Sequence, residues 1–239
     1  MLTAAAVCPH PPLLVPVATG GRPVPDDLAA LVGLREACDA AVADLFAASP
    51  DVLVVVGGAE RAERFPPDAS GSLQDYGVPF LIGAGDPVLP LSLTIGRWLL
   101  TRAPHAASAP VTALWGVAAG SAPAQCLAFG AELAGRAPSV ALLAMGDGPG
   151  RRARQAPNAP DQVADDYDDA VASAIASADP EALAALDPAA DDRLFVAGRA
   201  AWQVMAGAML ATPGPFQARL HYTGAPFEVS YFAASLRRR

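Results

Sequence analysis

DVLVVVGG, residues 51–58, decides the fold. Val52 to Val56 are apolar at every position and mostly β-branched, and two glycines end the run. A strand with one face in water alternates apolar and polar residues. An unbroken apolar run fits a strand covered by helices on both faces. A central strand of a parallel sheet is therefore predicted here, with a turn after it.

Working outward, residues 2–7, VTALWGVA (111–118) and SVALLAMGDG (139–148) read as further buried strands. Helical patterns lie between them. In residues 26–50, Leu31, Leu34, Cys38, Val42 and Leu45 recur at spacings of three and four, and Pro50 closes the element. LPLSLTIGRWLLTRA (89–103) and APAQCLAFGAELAGRAP (122–138) also read as helices. So does 160–186, with a break at Asp179-Pro180. Residues 191–211 are predicted as one further helix, and RAERFPPDASGSLQDYGVP (61–79) as an irregular loop. FQARLHYTGAPFEVSYFAAS (216–235) holds two strands joined by a Gly-containing turn. The order predicts a single α/β domain over 1–239. Its central sheet is mixed but mostly parallel, with helices on both faces and a C-terminal antiparallel strand pair.

The chain has 239 residues, of which 53% are hydrophobic, and a formal net charge of −8. That charge disfavours nucleic acid as a partner, because phosphate backbones are repelled. All basic residues are arginine, which excludes Schiff-base chemistry and a lysine-dependent phosphate loop. Cys8, Cys38 and Cys126 are far apart and form no CxxC pair, which fits a reducing cytoplasm. No signal peptide and no membrane-length apolar stretch is recognisable. The aspartates of DQVADDYDDA (161–170) lack the spacing, Gly and final Glu of a calcium loop and fit a negatively charged first helical turn.

In an open parallel sheet, ligands bind beyond the carboxyl ends of the strands. Three chemistry-bearing segments follow apolar strands here. The first is CPHPP, where prolines hold His10 in a stiff extended loop. His10 reads either as a metal ligand or general base, or as a loop histidine bonded to a carbonyl. The second is Gly57-Gly58-Ala59-Glu60. The glycines admit a ligand close to the backbone or simply turn the chain, and Glu60 faces either the pocket or solvent. The third is GDGPGRR (146–152), where Asp147 can orient a histidine, bind a cation or cap a turn. Arg151 and Arg152 after Gly148 and Gly150 suggest an anion cradle. Cys8 and His10 are expected to point apart, so they do not read as a nucleophile pair. His105 is expected in a surface loop. His221, in an alternating strand, lies either on an exposed face or packed at an edge.

AAAVCPHPPLLVP, DVLVVVGG, YGVP, LPLSLTIGRWLL, ALLAMGDGPGRR, YDDAVASAIASADPEALAALDP, AGRAAWQVMAGAM and APFEVSYFAA together resemble the subunit-B-like proteins of the class III extradiol ring-cleavage dioxygenase superfamily, with Memo-like proteins as distant members. The similarity runs over nearly the whole chain. It implies one α/β domain, often a homodimer or completed by a partner subunit. Active members cleave catechol-type rings at Fe(II) held by two histidines and a glutamate, with a further histidine as acid/base. His10 matches the first iron histidine. The second is expected where Gly57 to Glu60 stand, with Glu60 as a substitute ligand. Asp147 matches the aspartate of the acid/base segment, but Pro149 and Gly150 occupy the Ser and His places. The glutamate region holds Gly198-Arg199-Ala200-Ala201, with Asp192 the nearest carboxylate in sequence. The resemblance therefore implies a degenerate iron site. A strand-end pocket bordered by His10, Gly57, Gly58, Asp147 and Arg151 would take a small molecule or use His10 for divergent chemistry. The alternatives are an active Fe(II) dioxygenase recruiting Asp147 or Glu228, and a non-catalytic dimeric interaction module.

Overall fold

The computed structural model describes residues 1–19, 26–103, 111–150 and 161–239. β1 (Leu2–Cys8), α1 (Asp26–Ala47) and β2 (Val52–Ala59) form the first strand–helix–strand unit. The polar segment after it carries four short strands: β3 (Glu63–Phe65), β4 (Ser70–Ser72), β5 (Leu81–Ile82) and β6 (Pro87–Leu89). Then come α2 (Leu91–Arg102), β7 (Val111–Ala118), α3 (Pro123–Ala134) and β8 (Val140–Met145). Four helices follow, α4 (Asp161–Ala176), α5 (Pro180–Ala184), α6 (Ala189–Leu194) and α7 (Arg199–Leu210), and the chain ends in β9 (Phe216–Gly224) and β10 (Tyr231–Arg238).

The main sheet has seven strands in the order β3-β7-β2-β8-β1-β10-β9. β7, β2, β8 and β1 are mutually parallel. β3 at one edge runs antiparallel to β7, and at the other edge β10 runs antiparallel to both β1 and β9. This is the expected α/β architecture with its C-terminal antiparallel pair. The unbroken apolar run has the expected cause. Leu53 and Val55 pack on the α1–α2 side, while Val54 and Val56 pack on the side of α7. Each fully buried aliphatic side chain contributes about 1.5–3 kcal/mol of hydrophobic stabilisation.

α7 is buried along almost its full length and lies close against α3. Gly130 and Gly207 permit that approach. A Cβ on Gly130 would run into the Val204 carbonyl, and one on Gly207 into the backbone of Leu127.

Two expectations are corrected. Residues 61–79 are not simply irregular: β3 joins the main sheet beside β7, and β4 pairs with β5 and β6, just beyond the segment, in a second, three-stranded sheet in the order β5-β4-β6. Ser70 Oγ accepts from Gly85 N at 2.8 Å, and the Arg97 guanidinium bonds the Ala69 carbonyl, tying this sheet to α2. Residues 191–211 are two helices. Phe195 adopts φ +55°, in the left-handed region, and ends α6, so α7 starts afresh at Arg199. No helix among the described residues is long and apolar enough to cross a membrane.

Candidate functional site

Strand register brings the three chemistry-bearing segments to one rim. Cys8 pairs with Met145, and Met145 with Gly57, so β1 and β8 end level and β2 runs two residues past them. Gly146 N donates to the Cys8 carbonyl at 2.9 Å, which holds the two loops together one residue further on. The main-chain N–H of His10 then donates to Asp147 Oδ1 at 2.7 Å. Pro11 accepts from Leu14 N at 3.0 Å, starting a single 3₁₀ turn, and the Leu14 carbonyl accepts from Arg35 Nε at 2.7 Å. The proline loop is thus fixed at both ends.

The aspartate loop is bound as firmly. The Asp147 carbonyl accepts from Ala197 N at 3.0 Å, Gly148 N donates to Ser230 O at 2.8 Å, and Ser230 N donates to Pro149 O at 3.0 Å. Asp147 Oδ1 is 3.4 Å from His10 Nδ1, and the two side chains are 14% and 9% exposed. Among the described residues Nδ1 has no hydrogen-bond partner; the oxygen facing it accepts from the main-chain N–H. The contact between ring and carboxylate is electrostatic. Burial pushes the Asp147 carboxyl above its ordinary range, while the His10 ring and the His10 N–H pull against that shift. Burial raises the Tyr231 hydroxyl, and the Asp147 charge adds to this.

His10 is 7% exposed and forms part of the wall of a cavity of about 690 Å³. Gly58 and Glu60 line the same space, as do Phe65, Tyr76, Ser92 and the segments at Ala119 and Ala197. Since Nδ1 is shielded and turned to Asp147, the edge of the ring available to the cavity carries Nε2.

The sequence-derived candidates separate by role. His10, Gly58 and Glu60 share the cavity, with Glu60 exposed at its rim. Asp147 sits behind His10 and holds it. Gly57 is not a lining residue; a Cβ there would lie 2.5 Å from Ser92 Oγ, so this glycine makes room for α2. Ser92 Oγ in turn donates to the Gly58 carbonyl at 2.7 Å. β2 continues to Ala59 instead of turning at the glycines. Arg151, Arg152 and His105 lie outside the described residues. Glu228 stands in the turn between β9 and β10, away from the cavity lining. Cys8 is buried in the α1 side of the core, where burial and Cys8 itself raise the Cys38 thiol. His221 is packed, its Nε2 3.0 Å from Ser235 Oγ.

Sequence reading missed Phe65 and Tyr76, which carry no signal because they lie in the segment expected to be irregular. It also missed Arg199. That side chain is fully buried, with Nε 2.7 Å from Asp191 Oδ2 and Nη1 2.7 Å from Gln203 Oε1. It donates to the carbonyls of Ala119 and Ser121 as well, fixing the loop after β7 against α7. The spacing Asp191–Arg199–Gln203 was the available signal.

An iron centre of the kind the resemblance implies needs three donors on one face. Among the described residues no group of three or more His, Cys, Asp or Glu side chains is placed to hold a metal ion. His10 offers one nitrogen to the cavity, Glu60 is at the rim, and the glutamate region supplies an arginine already engaged with Asp191. The described residues do not fit Fe(II).

No protein-family model matches the chain, and no curated protein matches it. Among solved structures it is similar to the crystal structure of uncharacterized protein JW3007 from Escherichia coli K12. The identity is 14%, the match covers 98% of this chain and 99% of that one, and the TM-score is 0.50. At that identity the likeness shows the fold alone.

Proposed function

We propose that this chain is an extradiol-dioxygenase-like protein that binds a small phenolic or catechol-type molecule in the strand-end cavity and moves protons with His10, without iron. The observation that carries the reading is the placement of His10. Its main chain is bonded to Asp147 at 2.7 Å, its ring is almost fully buried, and its free edge lines a cavity of about 690 Å³. A carboxylate 3.4 Å from Nδ1 favours the proton on that nitrogen and leaves the Nε2 lone pair for the ligand. It also stabilises the imidazolium that forms when Nε2 takes a proton. A base so placed accelerates proton transfer by roughly 10²–10⁴-fold. Phe65 and Tyr76 give the cavity aromatic walls suited to a flat ring.

Three buried free cysteines support a reducing compartment, and hence the cytoplasm. The charge of −8 supports a small-molecule ligand in preference to nucleic acid. The homodimer or partner subunit implied by the resemblance is tested by light scattering at assay concentration.

The test is an anaerobic Fe(II) titration of chelator-treated protein beside a calorimetric titration with 4-hydroxybenzyl alcohol. The reading predicts no tight iron uptake and ring-compound binding that His10→Ala abolishes. One-to-one tight iron binding lost in His10→Ala, with catechol-dependent oxygen consumption, overturns it.

A further inference from the structure

The cavity is polar at both ends, and the two ends want opposite things. Its inner end holds His10 and the first turn of α2, where Pro90, Leu91 and Ser92 line the wall. No side chain caps that turn, and the Ser92 hydroxyl is directed away to the Gly58 carbonyl. The first main-chain N–H groups of a helix lack internal partners and carry the positive end of the helix dipole. Together with a nine-tenths buried imidazole whose Nε2 has no partner among the described residues, they suit a hydroxyl, whose oxygen accepts from those N–H groups and whose hydrogen is donated to Nε2.

The rim is different. Three charged side chains line it: Glu60, Arg61 and Glu63. Arg61 Nε is 2.8 Å from Glu63 Oε2, so those two largely cancel. The Glu60 carboxylate has no hydrogen bond of its own among the described residues and leaves the rim net negative. The rest of the lining includes apolar side chains, Phe65 and Leu89 among them.

Resting on the small-molecule reading above, we infer that the ligand is a cationic one: a flat ring whose oxygen enters toward His10 and the start of α2, and whose ammonium group stays at the mouth against Glu60. The complementarity sets orientation as well as class. A carboxylate in place of the ammonium would meet Glu60 and Glu63 at the mouth. Because Glu60 is exposed, its preference is modest, about two- to fivefold, and falls with salt.

The experiment is calorimetric titration of the full chain with three ligands of one skeleton at pH 7: 4-hydroxybenzylamine, 4-hydroxybenzyl alcohol and 4-hydroxybenzoate. The amine is expected to bind about two- to fivefold tighter than the alcohol, and the benzoate weakest. Glu60→Gln is expected to bring the amine to the affinity that the alcohol has for the same variant, and 0.5 M salt to remove the amine preference of the wild type. Benzoate binding as tightly as the amine, or an amine preference that survives Glu60→Gln, overturns the inference and leaves the cavity reading standing. If none of the three binds, or if His10→Ala leaves alcohol binding intact, the cavity reading itself fails and the inference with it.

Discussion

Asp147 Oδ1 accepts the main-chain N–H of His10 at 2.7 Å and lies 3.4 Å from the Nδ1 of the same residue. One oxygen thus fixes both the backbone and the charge environment of the imidazole. Asp147→Ala leaves a buried N–H unsatisfied and is expected to cost about 1–3 kcal/mol in chemical denaturation. Asp147→Asn keeps an acceptor and is expected to cost clearly less, while weakening ligand binding because Nδ1 loses its carboxylate. Equal stability losses in the two variants would show that the bond to His10 N–H is not what matters.

Adjacent glycines are expected to behave differently. A Cβ at Gly57 would sit 2.5 Å from Ser92 Oγ and 2.8 Å from Ser92 Cβ. Gly57→Ala is therefore expected to cost about 1–3 kcal/mol through overpacking. Adding Ser92→Gly should restore most of that loss in a double-mutant cycle. At Gly58 the nearest atom to an added Cβ is the Ala197 carbonyl at 3.4 Å. Gly58→Ala is expected to melt near wild type and to weaken ligand binding by narrowing the cavity.

Arg199→Met is expected to be among the most damaging single changes. It leaves the Asp191 carboxylate partly buried without its guanidinium partner and removes the hold on the Ala119 and Ser121 carbonyls. Loss of one partner of such a pair costs about 3–5 kcal/mol, read as a lowered denaturation midpoint.

Acid sensitivity is expected to come in part from His221. Burial lowers its pKa, and Arg219 works in the same direction, while Asp44 opposes both. A histidine whose folded pKa is depressed contributes stability above its unfolded pKa of about 6.5 and loses it as pH falls through the folded value. Between pH 7.5 and 5, the melting temperature of the wild type should fall further than that of His221→Gln. An identical fall in both would remove His221 from the account.

The parallel sheet was legible because Val52–Val56 and Val140–Met145 are apolar at every position, which only a doubly covered strand requires. The small sheet was not. Ser70–Ser72 is polar, Leu81–Ile82 is two residues long, and β6 begins at Pro87, so neither hydrophobic period nor propensity marks them. The break before α7 was hidden for another reason. Phe195 takes a left-handed backbone without being Gly or Asn, a conformation that no local pattern signals. In the site, His10 and Asp147 stood out because strand ends and prolines restrict where they point. Phe65 and Tyr76 reach the cavity only through the folding of the segment whose strands were invisible.

The most direct measurement is the ¹⁵N chemical shift of the His10 imidazole in chelator-treated protein, followed while 4-hydroxybenzyl alcohol is added and assigned with His10→Ala. The account predicts that Nε2 shifts saturably on ligand addition with no metal present, while Nδ1 stays protonated beside Asp147. An imidazole that ignores the ligand until Fe(II) is supplied would contradict it.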